Sequence, residues 1–127
     1  MTDEELAAIL QEIAQTTELM RKFEDCGVST EVTLRLYKVF LESSAAIAAE
    51  LQESKLSASN ASRMAHRLKG AAGFIGAKRL ASLAAYIEES CADLNELQIR
   101  HTLQLLFATY AETRDYVANT VARSAAS

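Results

Sequence analysis

An all-helical fold, an antiparallel up-down four-helix bundle with an additional N-terminal helix, is predicted by three features of the sequence. Proline is absent and glycine occurs only four times in 127 residues, so the chain lacks the breakers that punctuate strands and long loops. Apolar residues make up 50% of the chain and recur at spacings of three, four and seven, as in helices that bury one face. The stretches between these periodic runs are short, which makes successive helices antiparallel neighbours. This length supports one hydrophobic core, and with no internal repeat or low-complexity linker, residues 1–127 are expected to form a single domain.

The first helix is expected from about residue 3 to about residue 25, with Thr2 as N-cap and Glu5 completing a capping box. Leu6, Ile9, Leu10, Ile13, Thr17 and Met20 form its stripe, and Gly27 is expected to close it as a left-handed residue. The second opens at Ser29, carries Val32, Leu36, Val39, Phe40, Ile47 and Leu51, and stops near Ser54. The third spans roughly 59–75 and the fourth roughly 77–91, through Leu80, Leu83, Ala84, Ile87 and Cys91. The fifth covers about 95–121 through Ile99, Leu103, Leu106, Tyr110, Thr113 and Val117, and the Ala/Ser-rich end from Val121 to Ser127 is expected to fray.

Composition narrows the function classes. The formal net charge is −4, and no apolar run reaches the roughly 18 residues of a membrane span. The acidic opening Met1-Thr2-Asp3-Glu4-Glu5 is the reverse of a signal peptide's basic start, so a cytoplasmic location without membrane contact is expected. Cys26 and Cys91 lack metal-ligand spacing and read as packed thiols. The core suffices within one chain, which favours a monomer.

The third helix carries the chemistry. With residues placed at about 100° intervals, Ala61, Met64, Ala65, Ala71, Ala72 and Ile75 cluster around Leu68 as a buried stripe of mostly small side chains. His66 falls at about 160° from Leu68 and points outward, sharing its face with Ser59, Ser62, Arg63, Gly70 and Gly73, with Lys69 on one flank. Glycine inside a helix costs about 1 kcal/mol relative to alanine, so Gly70 and Gly73 on a polar face call for a reason. Helical side chains lean toward the N-terminus, so the residue four positions on lies over His66, and that residue is Gly70. Its bareness uncovers the imidazole, and Gly73 extends the clearing by a turn. Lys69 leans back the same way and can set its ammonium beside anything attached to the ring. Gly76 reads as the left-handed residue that ends the helix.

Charge is concentrated here too. From Ser54 to Ile87, 34 residues, there is no Asp or Glu, while Lys55, Arg63, Arg67, Lys69, Lys78 and Arg79 supply six of the chain's thirteen basic residues. Such a zone stabilises a dianionic phosphoryl group and complements an acidic partner. Nucleic acid is disfavoured by the net acidity and by the absence of aromatics interleaved with the basic residues.

The run His66-Arg67-Leu68-Lys69-Gly70-Ala71-Ala72-Gly73-Phe74-Ile75-Gly76 fits the pattern HxxKGxxxxxG, and Ala77-Lys78-Arg79-Leu80-Ala81-Ser82-Leu83 follows it as a second helix. In these residues the chain resembles the histidine phosphotransfer domains of multistep two-component phosphorelays, most closely those that end hybrid sensor kinases. Phe74 departs from that pattern, since many members carry something small or polar there; it is expected either to pack on the bundle's flank or to join a docking surface.

The resemblance implies that His66 accepts a phosphoryl group from the aspartate of a response-regulator receiver domain and passes it to another receiver. Lys69 would be its electrostatic partner, Gly70 and Gly73 the clearance, and Arg63 and Arg67 docking residues. It implies no bound cofactor or metal, with Mg²⁺ carried by the receiver, and no autonomous kinase activity, since the protein would only pass through a phosphohistidine intermediate. Receivers and a hybrid sensor histidine kinase are the implied partners. An exposed neutral imidazole is itself a competent nucleophile near neutral pH, and phosphoryl transfer asks mainly for positioning and charge stabilisation. Two other readings share these residues: the phosphoacceptor domain of a chemotaxis-type histidine kinase, against which Ala77 counts where an aromatic is often found, and a helical docking module without chemistry. A helical metal or redox enzyme would need Glu-x-x-His pairs that the sequence lacks. His101, without a Lys-Gly companion, reads as an ordinary surface residue.

Overall fold

The computed structural model describes residues 1–21, 27–53 and 57–125. Five α-helices follow one another: α1 (Asp3–Thr16), α2 (Thr30–Glu53), α3 (Ala58–Phe74), α4 (Lys78–Ser90) and α5 (Glu96–Ala125), with a short 3₁₀ turn, Cys91–Asp93, before the last. Helices α2 to α5 form the four-helix bundle, α3 packing between α2 and α4 and α5 closing the ring, while α1 lies against α4 and α5.

Local chemistry explains most of the boundaries. The Thr2 hydroxyl accepts from the Glu5 N–H at 3.1 Å, Ser29 does the same for Val32 at 3.3 Å, and Ser57 for Asn60 at 3.1 Å. At the start of α5 the cap is reciprocal: the Gln98 N–H donates to Asn95 Oδ1 at 2.8 Å and the Asn95 N–H to Gln98 Oε1 at 3.0 Å. The Gln98 amide nitrogen also donates to the Met1 carbonyl at 2.8 Å and to Asp3 at 2.9 Å, which pins the start of α1 to the start of α5.

In the core, the expected α4 stripe of Leu80, Leu83, Ala84, Ile87 and Cys91 is buried, as is the α5 stripe of Ile99, Leu103, Leu106, Tyr110, Thr113 and Val117. Polar core atoms are satisfied: Ser44 and Tyr110 share a 3.1 Å hydrogen bond, and the hydroxyls of Thr102, Thr109 and Thr113 donate to carbonyls one turn back. Cys91 is a free, buried thiol whose pKa is pushed up by burial, in keeping with an inert packed role. Cys26 lies outside the described residues.

Three expectations need correction. Helix α1 ends at Thr16 rather than near residue 25: Thr17 is extended, and the chain beyond it hydrogen-bonds to the α3–α4 turn instead of to itself. The Arg79 N–H donates to the Glu18 carbonyl at 3.1 Å, Arg79 Nε to the Thr17 carbonyl at 2.9 Å, and the Arg21 N–H to the Gly76 carbonyl at 2.6 Å. Met20 still reaches the core, carried there by this strap and not by a helical stripe. Gly27 does adopt a left-handed conformation, φ 75°, but ahead of α2 and well past the end of α1. On α2 the buried stripe is Tyr37, Phe40, Ser44, Ile47 and Leu51, while Val32 and Val39, assigned inward from hydrophobicity, are 42% and 50% exposed. Lastly, α5 does not fray at Val121 but continues to Ala125, through Ala122, Arg123 and Ala125, all good helix formers.

Candidate functional site

His66 sits in the middle of α3 with its side chain 66% exposed. Ala61, Met64, Ala65, Leu68 and Ala72 are buried on the opposite side of the helix, so the outward placement read from the helical period is observed. Gly70 and Gly73 are exposed, and a Cβ added to either would meet no atom within 4 Å. Close helix packing therefore does not account for them; each leaves open space on the His66 face. The helix ends in a Schellman motif: Gly76 has φ 70°, its N–H donates to the Gly73 carbonyl at 3.3 Å, and the Ala77 N–H donates to the Ala72 carbonyl at 2.9 Å.

The residue that organises the site is one the sequence reading missed. Glu88, on α4, places Oε1 2.7 Å from His66 Nδ1 and Oε2 2.6 Å from Lys69 Nζ, so one carboxylate clasps both side chains. These two contacts hold its pKa below the ordinary carboxylate range, the Lys69 hydrogen bond first and the His66 bond second. An ionised carboxylate can only accept, so Nδ1 must carry the proton. In the neutral imidazole this leaves the lone pair on Nε2, which has no hydrogen-bond partner among the described residues. A second contact, from Ser62 Oγ to the Glu88 carbonyl at 3.2 Å, ties α4 to α3 at the same level. The register was available in the sequence: His66 and Glu88 both lie eleven residues from Ala77, and in an antiparallel hairpin such positions meet.

The basic zone is correspondingly less uniform than the acid-free stretch suggested, because acids arrive from neighbouring elements. Lys69 is held by Glu88, and Arg67 donates to Glu50 of α2 at 2.5 Å. Lys78 pairs with Glu18 at 3.1 Å, while Arg79 serves the strap and approaches Glu112 at 3.8 Å; both act structurally at the far end of α3. Lys55 lies outside the described residues. Arg63 is exposed and makes no ion pair among the described residues. The Arg67–Glu50 pair is largely solvent-exposed, where such pairs contribute about 0–1 kcal/mol, so a partner can draw Arg67 away at little cost. Phe74 is 53% exposed, which decides against packing on the bundle's flank. His101 is exposed on α5, as expected of a surface residue. Among the described residues no three His, Cys, Asp or Glu side chains gather in a way that could hold a metal ion.

A family model described as the Hpt domain matches residues 35–123. The chain belongs to the Hpt domain family. The match covers most of α2, all of α3 and α4 and nearly all of α5, and leaves α1 and the strap outside it. No curated protein and no solved structure gives a significant match to the chain. Membership in the Hpt family assigns the protein to phosphotransfer in two-component systems, and the all-helical bundle is the architecture of that family. No helix among the described residues is long and apolar enough to cross a membrane.

Proposed function

We propose that the protein is a phosphorelay intermediate that accepts a phosphoryl group on His66 Nε2 from the aspartyl phosphate of one receiver domain and passes it to the aspartate of another. The observation that carries this reading is the Glu88 clasp: it fixes the proton on Nδ1 and leaves the outward-facing nitrogen as the one with a lone pair. The Nε2 lone pair attacks phosphorus, the N–P bond forms, the P–O bond to the donor carboxyl breaks, and the donor leaves as a free carboxylate. Running the same steps backwards onto a second aspartate returns the imidazole. As the phosphorylated ring gains positive character, the carboxylate on Nδ1–H stabilises it, in the manner of an acid that orients a catalytic histidine.

Lys69 stands one turn from His66 with its ammonium on Glu88; it is positioned to shift toward the phosphoryl oxygens as they arrive. Gly70 and Gly73 provide the room a receiver needs to bring its phosphoaspartate within bonding range of Nε2. Arg63 and Arg67 meet the acidic rim of that partner. The Mg²⁺ that receiver chemistry calls for belongs on this reading to the partner, and a hybrid sensor kinase is the expected upstream source.

Incubation with a receiver domain phosphorylated by acetyl phosphate tests the proposal. Label should move to the chain and be lost with His66→Gln, while helical circular dichroism stays unchanged; label retained on the variant overturns the assignment of His66. A parallel incubation with a histidine kinase ATP-binding domain and ATP reads the chemotaxis-type alternative. Uptake only in that second arm would replace the relay role.

A further inference from the structure

Two flanks border His66, and they differ. On the α4 side the space is taken by the Glu88–Lys69–His66 clasp and the Ser62 contact, whose polar groups are already satisfied. On the α2 side, Arg63, Arg67, Gly70 and Phe74 follow one another at spacings of four, three and four, so they share one stripe of α3 alongside the imidazole. The stripe runs about 16 Å at 1.5 Å per residue and ends in an aromatic ring that is 53% exposed.

The facing edge of α2 has a matching stripe. Val39, Ser43, Ala46 and Glu50 repeat at the same spacings and are all exposed, and Glu50 reaches across to Arg67. Counting away from that pair in an antiparallel register sets Ser43 level with Phe74, with Val39 one turn beyond. Together the two stripes make a shallow floor of small residues, Gly70, Ser43 and Ala46. At one end stand two exposed apolar side chains, Phe74 and Val39, and at the other Arg63, an exposed cation that makes no ion pair among the described residues.

Resting on the relay reading, we propose that this α2–α3 edge determines which receivers the protein serves, with Phe74 as the aromatic anchor and Val39 beside it. The occupant is a receiver domain that carries an apolar hollow about two helical turns from its phosphorylated aspartate. Continuity with His66 argues for this partner: a receiver over Nε2 must cover one of the two flanks, and among the described residues this one alone offers exposed large apolar side chains next to open space. Exposed aromatics that become buried at the centre of an interface dominate its energetics.

The test compares two ways of labelling His66 across a panel of receiver domains phosphorylated with acetyl phosphate and Mg²⁺. Phosphoramidate needs no docking and reads the imidazole alone; the receivers read docking and chemistry together. For the best wild-type donor, the ratio of receiver-driven to phosphoramidate-driven labelling should fall about tenfold in Phe74→Ser. It should fall less in Val39→Ser, and the rates across the panel should converge. Tyr116→Ser, which removes an exposed aromatic from α5, should leave the ratio and the order of donors as they are. An unchanged ratio and ranking in Phe74→Ser, or an equal fall in Tyr116→Ser, overturns the inference while the relay reading stands. If no receiver labels the wild-type chain and phosphoramidate does, both fall together.

Discussion

At the scale of single residues, the site depends on which nitrogen of His66 bears a proton, and Glu88 decides this through a 2.7 Å contact. Glu88→Gln keeps the shape but removes the charge that favours Nδ1–H and the grip on Lys69. Phosphoramidate labelling of His66 is expected to slow about tenfold, the scale of one charge-assisted hydrogen bond. A rate equal to wild type would mean that the clasp does not set reactivity. Because the Glu88 pKa is depressed in the fold, its stabilising contribution is complete at neutral pH and disappears only as the pH falls through that lowered value. The stability difference between wild type and Glu88→Gln in urea should therefore be present at neutral pH and vanish in strong acid; a difference that grows on acidification would reverse the sign. Gly70→Leu puts a side chain into open space, so the fold should hold while the imidazole is covered. Receiver-dependent uptake should drop steeply with little change in the urea midpoint, and unaltered transfer would show that the clearance is not used.

At the scale of elements, the α3–α4 turn holds more than two helices. Gly76 closes α3 at φ 70° and its carbonyl accepts from Arg21, so turn and strap share one residue. Gly76→Ala should cost about 1–2 kcal/mol through left-handed strain alone, measurable as a lowered urea midpoint. The last three helices were legible because each has a sustained buried stripe: Ala61 to Ile75 in α3, Leu80 to Cys91 in α4 and Ile99 to Val117 in α5, with Gly76 supplying a recognisable stop for α3. The end of α1 was not, since Thr17 and Met20 fall at helical spacing while the backbone of Thr17, Glu18 and Arg21 around them is claimed by residues some sixty positions away. Hydrophobicity likewise misplaced Val32 and Val39, because the inward positions of α2 include Ser44, a polar residue made acceptable by Tyr110. His66, Lys69 and Gly70 could be placed from one helix alone; Glu88 required the pairing of two, which a reading helix by helix does not supply.

At the scale of the whole molecule, the chain carries a net charge of −4, yet among the described residues the His66 face is close to locally neutral, with Arg67 and Lys69 each matched by a carboxylate and Arg63 in no ion pair. Added salt should slow receiver-driven labelling by screening the encounter, and only mildly, since short paired contacts are less sensitive than free charges. A steep decline would point to a larger basic footprint than the described residues contain. The empty space above Gly70 and Gly73 bears also on time. An imidazole this exposed is as open to water as to a partner, so on the relay reading a phosphoryl group on His66 would have no shelter against hydrolysis, and the bond would last only as long as its intrinsic lability allows. Such a domain would be a conduit rather than a store, keeping a signal only if the next receiver arrived before the solvent did.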